Sequence, residues 1–150
     1  MTIIEKLSLL EKPVLYIGIG NEMKGDDGLG CEIAGRLKAK KPGINVIDCK
    51  NVPENYIKEI LSFKPETIVF IDAVVMQEEP GFIDLIEQGR ICQSGISTHA
   101  VSLGLLAELI NTMSKAKIYI LGIQPSQVTL GAGFSLIIQE TISKIVDILE

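Results

Sequence analysis

What this chain lacks already rules out several classes of protein. Its three cysteines, Cys31, Cys49 and Cys92, are odd in number and far apart. That spacing fits neither a disulfide framework nor a zinc cage and matches a reducing compartment. No apolar run approaches the ~20 residues of a transmembrane helix. Residues 1–12 mix Glu, Lys and Ser with apolar residues, without the layout of a signal peptide, so a cytoplasmic protein is expected. Positive charge is scarce, with a net charge of −5 and a pI near 5.0. Nucleic acid and anionic membrane surfaces therefore have no basic patch to bind. There is no tryptophan and only one histidine, His99.

The chain does have apolar residues in quantity, 47% of 150, enough for one core. A chain of this length is expected to fold as a single domain, 1–150, burying roughly 70% of its unfolded surface. Strand-like and helix-like patterns alternate along it. Val14–Ile19 reads as a buried strand. Leu29, Ile33 and Leu37 then mark a helical stripe that ends near Pro42-Gly43. Ile44–Cys49 is a second strand, and Pro53 opens a helix with Tyr56, Ile57, Ile60 and Leu61 inward. Thr67–Ile71 forms a central strand ending at Asp72. Only the short acidic stretch 77–80 separates it from the run Gly81–Ile86, too little for a crossover helix, so these two runs are expected to be antiparallel. Leu105, Leu106, Leu109, Ile110 and Met113 give a third helical stripe, Ile118–Ile123 a fifth strand, and Phe134 to Ile148 a last helix. The expected architecture is α/β, a three-layer αβα sandwich around a five-stranded, mostly parallel mixed sheet.

The most informative segment is Gly18-Ile19-Gly20-Asn21-Glu22-Met23-Lys24-Gly25-Asp26-Asp27-Gly28-Leu29-Gly30. It follows the first strand, where a phosphate-binding turn would sit, with Gly20 and Gly25 at P-loop spacing. Asp26 and Asp27 stand where that motif places Lys and Ser/Thr. Met23 occupies the position of the third glycine in a dinucleotide fingerprint. Each carboxylate ~4 Å from a phosphate would repel it by roughly 1–4 kcal/mol. The turn suits a cation instead.

Other polar residues fall at the same end of the strands, where open α/β sheets gather ligands. They are Asp72, the loop Ser94–His99, and Gln124 after the fifth strand. Carboxylate plus imidazole suits nickel, zinc, cobalt or iron(II) more than magnesium, and an incomplete set leaves working positions open. Each residue also has a plainer reading. Asp27 is equally a helix N-cap, Asp72 a strand-end acceptor, and His99 a packed core histidine. Ser97 lacks the Gly-x-Ser-x-Gly elbow of a hydrolase nucleophile, and Ser97 or Thr98 fits better as a helix cap. A Cys92–His99 pair is the weaker nucleophile reading.

Taken together, Gly18-Ile19-Gly20-Asn21, Gly25-Asp26-Asp27-Gly28-Leu29-Gly30, Ile71-Asp72-Ala73 and Ser97-Thr98-His99 resemble the nickel-iron hydrogenase maturation endopeptidases. The resemblance runs from about residue 14 to the C-terminus and leaves residues 1–11 as a leader outside it. Pro53-Glu54-Asn55 and Gly122-Ile123-Gln124-Pro125 resemble the subgroup serving formate hydrogenlyase and coenzyme-F420-reducing hydrogenases. The resemblance implies an aspartic-type endopeptidase that removes the C-terminal extension of a hydrogenase large-subunit precursor once nickel is in place. It assigns Asp27, Asp72 and His99 as catalytic and nickel-contacting residues, with Gly20, Asn21 and Gln124 toward the precursor. The nickel is expected to arrive in the precursor, and Asp26 or Asp27 is a candidate proton acceptor. A monomer is expected. Two alternatives stay open at this point, a non-enzymatic nickel-binding maturation factor and a nucleotide-binding enzyme.

Overall fold

The computed structural model describes residues 1–90 and 100–150, with side chains of 100–102 left aside. Five strands form one sheet, β1 (Val14–Gly18), β2 (Asn45–Asp48), β3 (Thr67–Ala73), β4 (Ile83–Glu87) and β5 (Lys117–Ile123). Their order is β2-β1-β3-β5-β4. All neighbours are parallel except β4, which pairs antiparallel with β5 through Leu85 opposite Leu121. The expected five-stranded mixed sheet is therefore present, and β4 is the strand that runs against the others. Its hydrogen-bonded neighbour is β5, not β3. The short connection after β3 carries the chain past the β5 position, and β5 later fills the gap.

Strand alternation divides the core into two halves. On one face Tyr16, Val69, Ile71, Leu121 and Ile123 pack under α2 (Leu29–Lys40) and α5 (Leu136–Ile148). On the other, Leu15, Ile17, Ile68, Phe70, Ile118 and Ile120 pack under α3 (Ile57–Ser62) and α4 (Ala100–Met113). Leu29, Ile33 and Leu37 are fully buried, as their four-residue spacing predicts. Pro53 opens a 3-10 turn, Pro53–Tyr56, which leads into α3.

One expectation needs correction. The stripe read on the third helix is rotated. Leu103, Leu106, Ala107 and Ile110 are buried, whereas Leu105, Leu109 and Met113 are 64%, 46% and 50% exposed. Apolar residues lie all round this helix, so spacing alone does not single out the inner face. The leader also contains a helix, α1 (Ile3–Ser8), whose N-cap Thr2 accepts a hydrogen bond from the Glu5 amide. It packs against the edge strand β4, with Lys6 3.5 Å from Asp84. Among the described residues no helix is long and apolar enough to cross a membrane.

The two faces of α4 give a direct test. Ile110→Ala is expected to cost about 2–5 kcal/mol, and Leu109→Ala to stay within about 0.5 kcal/mol, as read by urea denaturation. Equal losses at both positions would contradict the helix orientation.

Candidate active site

Strand β1 has β2 on one side and β3 on the other, and the helices that follow β1 and β2 lie on opposite faces of the sheet. The carboxyl ends of β1 and β3 therefore open onto a crevice at the point where chain direction along the sheet reverses. The segments that carry Asp27 and Asp72 meet there. The Ile19 amide donates to the Ile71 carbonyl at 3.0 Å, which puts the glycine turn beside Asp72. The start of α2 presses on the same spot. A Cβ at Gly30 would overlap the carbonyl oxygens of Ile71 and Ile19, and one at Gly20 would overlap that of Asp27. Only a residue without a side chain allows this approach.

Asp72 lies within β3, opposite Gly122 of β5, and is fully buried. Alternation puts it on the Ile68 and Phe70 face, beneath α3 and α4. Asp27 belongs to the 3-10 turn Gly25–Gly28 that precedes α2. Gly28 is the N-cap of α2 and no side chain caps the helix, which removes the capping role from Asp27. Instead its Oδ2 accepts from the Asn21 amide at 3.2 Å. His99 immediately precedes α4 in sequence and lies outside the described residues, as do Cys92, Ser97 and Thr98.

The adjacent acid does different work. Asp26 is fully buried, and its carboxylate accepts four hydrogen bonds. Oδ2 receives the amides of Ser126 and Gln127, each at 2.9 Å, and the Ser135 hydroxyl at 2.8 Å. Oδ1 receives the Ser135 amide at 2.8 Å. Ser135 is the N-cap of α5 but gives its hydroxyl to Asp26 rather than to its own helix. The anion thus also faces the positive end of α5. Asp26 is a structural anchor.

The residues expected to face a substrate are tied in as well. The Gly20 amide donates to the Lys50 carbonyl at 2.9 Å, and the Asn21 side chain accepts from the Met23 amide at 3.0 Å. Gln124 is almost fully buried. Its Oε1 accepts from the Met76 amide at 2.6 Å and its Nε2 donates to the Pro125 carbonyl at 3.3 Å. Its amide holds the loop after β3, a role its position in the sequence gave no sign of.

Comparison with known proteins settles the kind of molecule. The hydrogenase maturation protease (HycI) family model matches residues 31–150. The chain belongs to the hydrogenase maturation proteases. It is 34% identical over 109 residues to the hydrogenase 3 maturation protease of Escherichia coli K12, covering 71% of this chain and 69% of that one. A hydrogenase maturation protease relative in Methanocaldococcus jannaschii is 32% identical over 132 residues, covering 82% of this chain and 78% of that one. The crystal structure of the [NiFe] hydrogenase maturation protease HycI from Thermococcus kodakarensis superposes with a TM-score of 0.86 at 29% identity, covering 97% and 95% of the two chains. A peptidase therefore replaces both the nucleotide-binding and the non-enzymatic alternatives.

In this maturation protease burial disfavours the thiolate at both described cysteines. Burial, then the nearby Asp48 carboxylate, pushes the Cys31 thiol far up, and burial pushes Cys49 up to about 12. Among the described residues one further group has ligand atoms close enough for a metal, Glu22, Cys31 and Asp48. The Lys50 ammonium already bridges its two carboxylates, 2.9 Å from Glu22 and 2.9 Å from Asp48.

Two outcomes follow from these contacts. Asp26→Ala strips the acceptor from three amides and a hydroxyl, and is expected to cost about 3–5 kcal/mol in urea denaturation. A loss under 1 kcal/mol would deny the anchor role. Burial works to raise the Asp48 carboxyl, but hydrogen bonds from the Lys50 side chain and amide outweigh it and hold the group below its ordinary 3.8. Its stabilising contribution is thus complete above pH 3.8 and fades as pH falls through the lower folded value. Asp48→Asn should flatten that part of the acid limb in a pH series of unfolding curves.

Proposed function

We propose that this hydrogenase maturation protease removes a C-terminal extension from the large-subunit precursor of a nickel-iron hydrogenase after nickel insertion. In this reading Asp27, Asp72 and His99 contact the nickel that the precursor brings. The observation that supports it is the close backbone approach of the glycine turn carrying Asp27 to the end of β3, next to Asp72. Their oxygen donors, with one imidazole, suit a borderline divalent ion such as nickel. An incomplete set fits an ion whose remaining ligands come from the substrate.

The two adjacent acids divide the labour. Asp26 has its oxygens taken by four donors, so Asp27 is the better proton acceptor for the water that attacks the peptide carbonyl. Nickel in the precursor would polarise that water or carbonyl. Gly20 and Asn21, whose amides are taken by Lys50 and Asp27, meet the incoming peptide through close backbone packing. The Gln124 contribution runs through the loop its amide holds. The buried free thiols Cys31 and Cys49 are consistent with work in the cytoplasm. The enzyme acts as a monomer in this reading.

The test is incubation of the full chain with nickel-loaded and nickel-free precursor, with the shortened product read by mass. Cleavage is expected only of the loaded form, and equal cleavage of both would overturn nickel recognition. Asp27→Ala and His99→Ala should each lower processing by more than the ~10–100-fold typical of residues that merely support a metal ligand. Asp27→Ala should keep its fold, since it loses one hydrogen bond worth about 1 kcal/mol. A fully active His99→Ala enzyme would remove the imidazole from the site.

A further inference from the structure

The surface beside Asp27 is unusually apolar for a loop. Met23, Val128 and Leu130 are 70%, 49% and 69% exposed, and the run 125–134 contains no charged residue. These side chains belong to one surface, because two segments run alongside each other there. The Asp26 amide donates to the Gln127 carbonyl at 2.9 Å, and the Gly131 amide to the Met23 carbonyl at 2.8 Å. Val128 and Leu130, two residues apart, sit on the ply that faces the Met23–Asp26 turn. The base of this double layer is held firmly. The Asp26 carboxylate binds Ser126, Gln127 and Ser135. At Gly25, with φ 53, a Cβ would come within 3.0 Å of the Gln127 carbonyl oxygen. An exposed aliphatic strip on a fixed base loses little conformational freedom when a partner covers it.

We infer that Met23, Val128 and Leu130 form a docking strip for an uncharged, aliphatic stretch of the large-subunit precursor next to the bond to be cut. The inference rests on the function proposed above. Continuity selects the occupant, since the strip begins at Met23 and Gly25, within four residues of Asp27, and a peptide reaching that carboxylate lies alongside it. A second copy of the chain is a poorer fit, because three side chains fall well short of the ~1,000 Å² that a stable interface buries. An anionic membrane is opposed by the net charge of −5.

The experiment is steady-state cleavage of nickel-loaded precursor by the full-length parent, Leu130→Ser, Met23→Ser, the double variant Val128→Ser/Leu130→Ser, and Leu105→Ser as a control on the opposite face. Each single strip variant is expected to raise KM about tenfold, and the double variant more, with kcat unchanged. Leu105→Ser should leave KM alone, and exposed positions should leave Tm within a degree or two. Met23→Ser reads the strip from the other ply, so a distorted 126–131 loop in one variant does not decide the matter. A double-variant KM within twofold of the parent overturns the inference. So does a fall in kcat at constant KM, a parent dimer that the variants split in sedimentation, or parent binding to anionic vesicles that the variants lose. If the parent fails to cut the loaded precursor, the proposed function falls. Calorimetric titration of the precursor into parent and variants then still decides the strip, supporting it at a tenfold or greater weakening and refuting it at equal affinity.

Discussion

The arrangement of this site depends on one buried anion. Taking the Asp26 carboxylate out of water costs several kcal/mol, and no ion pair among the described residues offsets that cost. Four short hydrogen bonds do so instead, each worth about 1.5–3 kcal/mol when an ion takes part. The balance favours the bound anion only while all four donors are present. The carboxylate thereby joins the turn after β1, the loop after β5 and the first residue of α5. These three pieces have no strand or helix in common. The neighbouring acid, left outside this arrangement, keeps its place at the crevice with one amide on Oδ2. Identical side chains one residue apart thus take separate roles through their surroundings alone.

The crevice itself follows from close packing of backbone on backbone. Gly30 lets α2 meet the carbonyls of Ile19 and Ile71 without an intervening side chain. The turn after β1 is thereby drawn over the end of β3, the strand that carries Asp72. Asp72 points toward the face covered by α3 and α4, while Asp27 sits at the head of α2 on the other. The site therefore straddles the sheet edge, supplied from both helix layers.

Much of this was legible in the sequence because it is periodic or local. Alternating strands, the Leu29–Ile33–Leu37 stripe and the missing crossover before Gly81 all express short-range geometry, and the structure follows them. The acidic glycine turn likewise announced itself by residue type. What stayed hidden depends on partners distant in the chain. Nothing near Asp26 shows that Ser126, Gln127 and Ser135 would surround it. Nor does the Gln124 neighbourhood show that its amide would hold Met76. On α4 the difficulty was of another kind, since a helix apolar on most sides leaves the choice of inner face to tertiary packing. The Leu103–Ile110 side won over the Leu105–Met113 side. The antiparallel sense of β4 was readable, but its neighbour was not, because β5 had still to be threaded between β3 and β4.

The span between Asp26 and Ser135, 109 residues, also sets an order of events during synthesis. Ribosomes add roughly 5–20 residues per second. The acidic turn is therefore made some 5–20 seconds before its last donors exist. Throughout that interval the chain carries two hydrated carboxylates side by side on an unanchored glycine loop. The distinction between them arises only when the start of α5 arrives. The anchoring of this turn is consequently completed only once the start of α5 has been made.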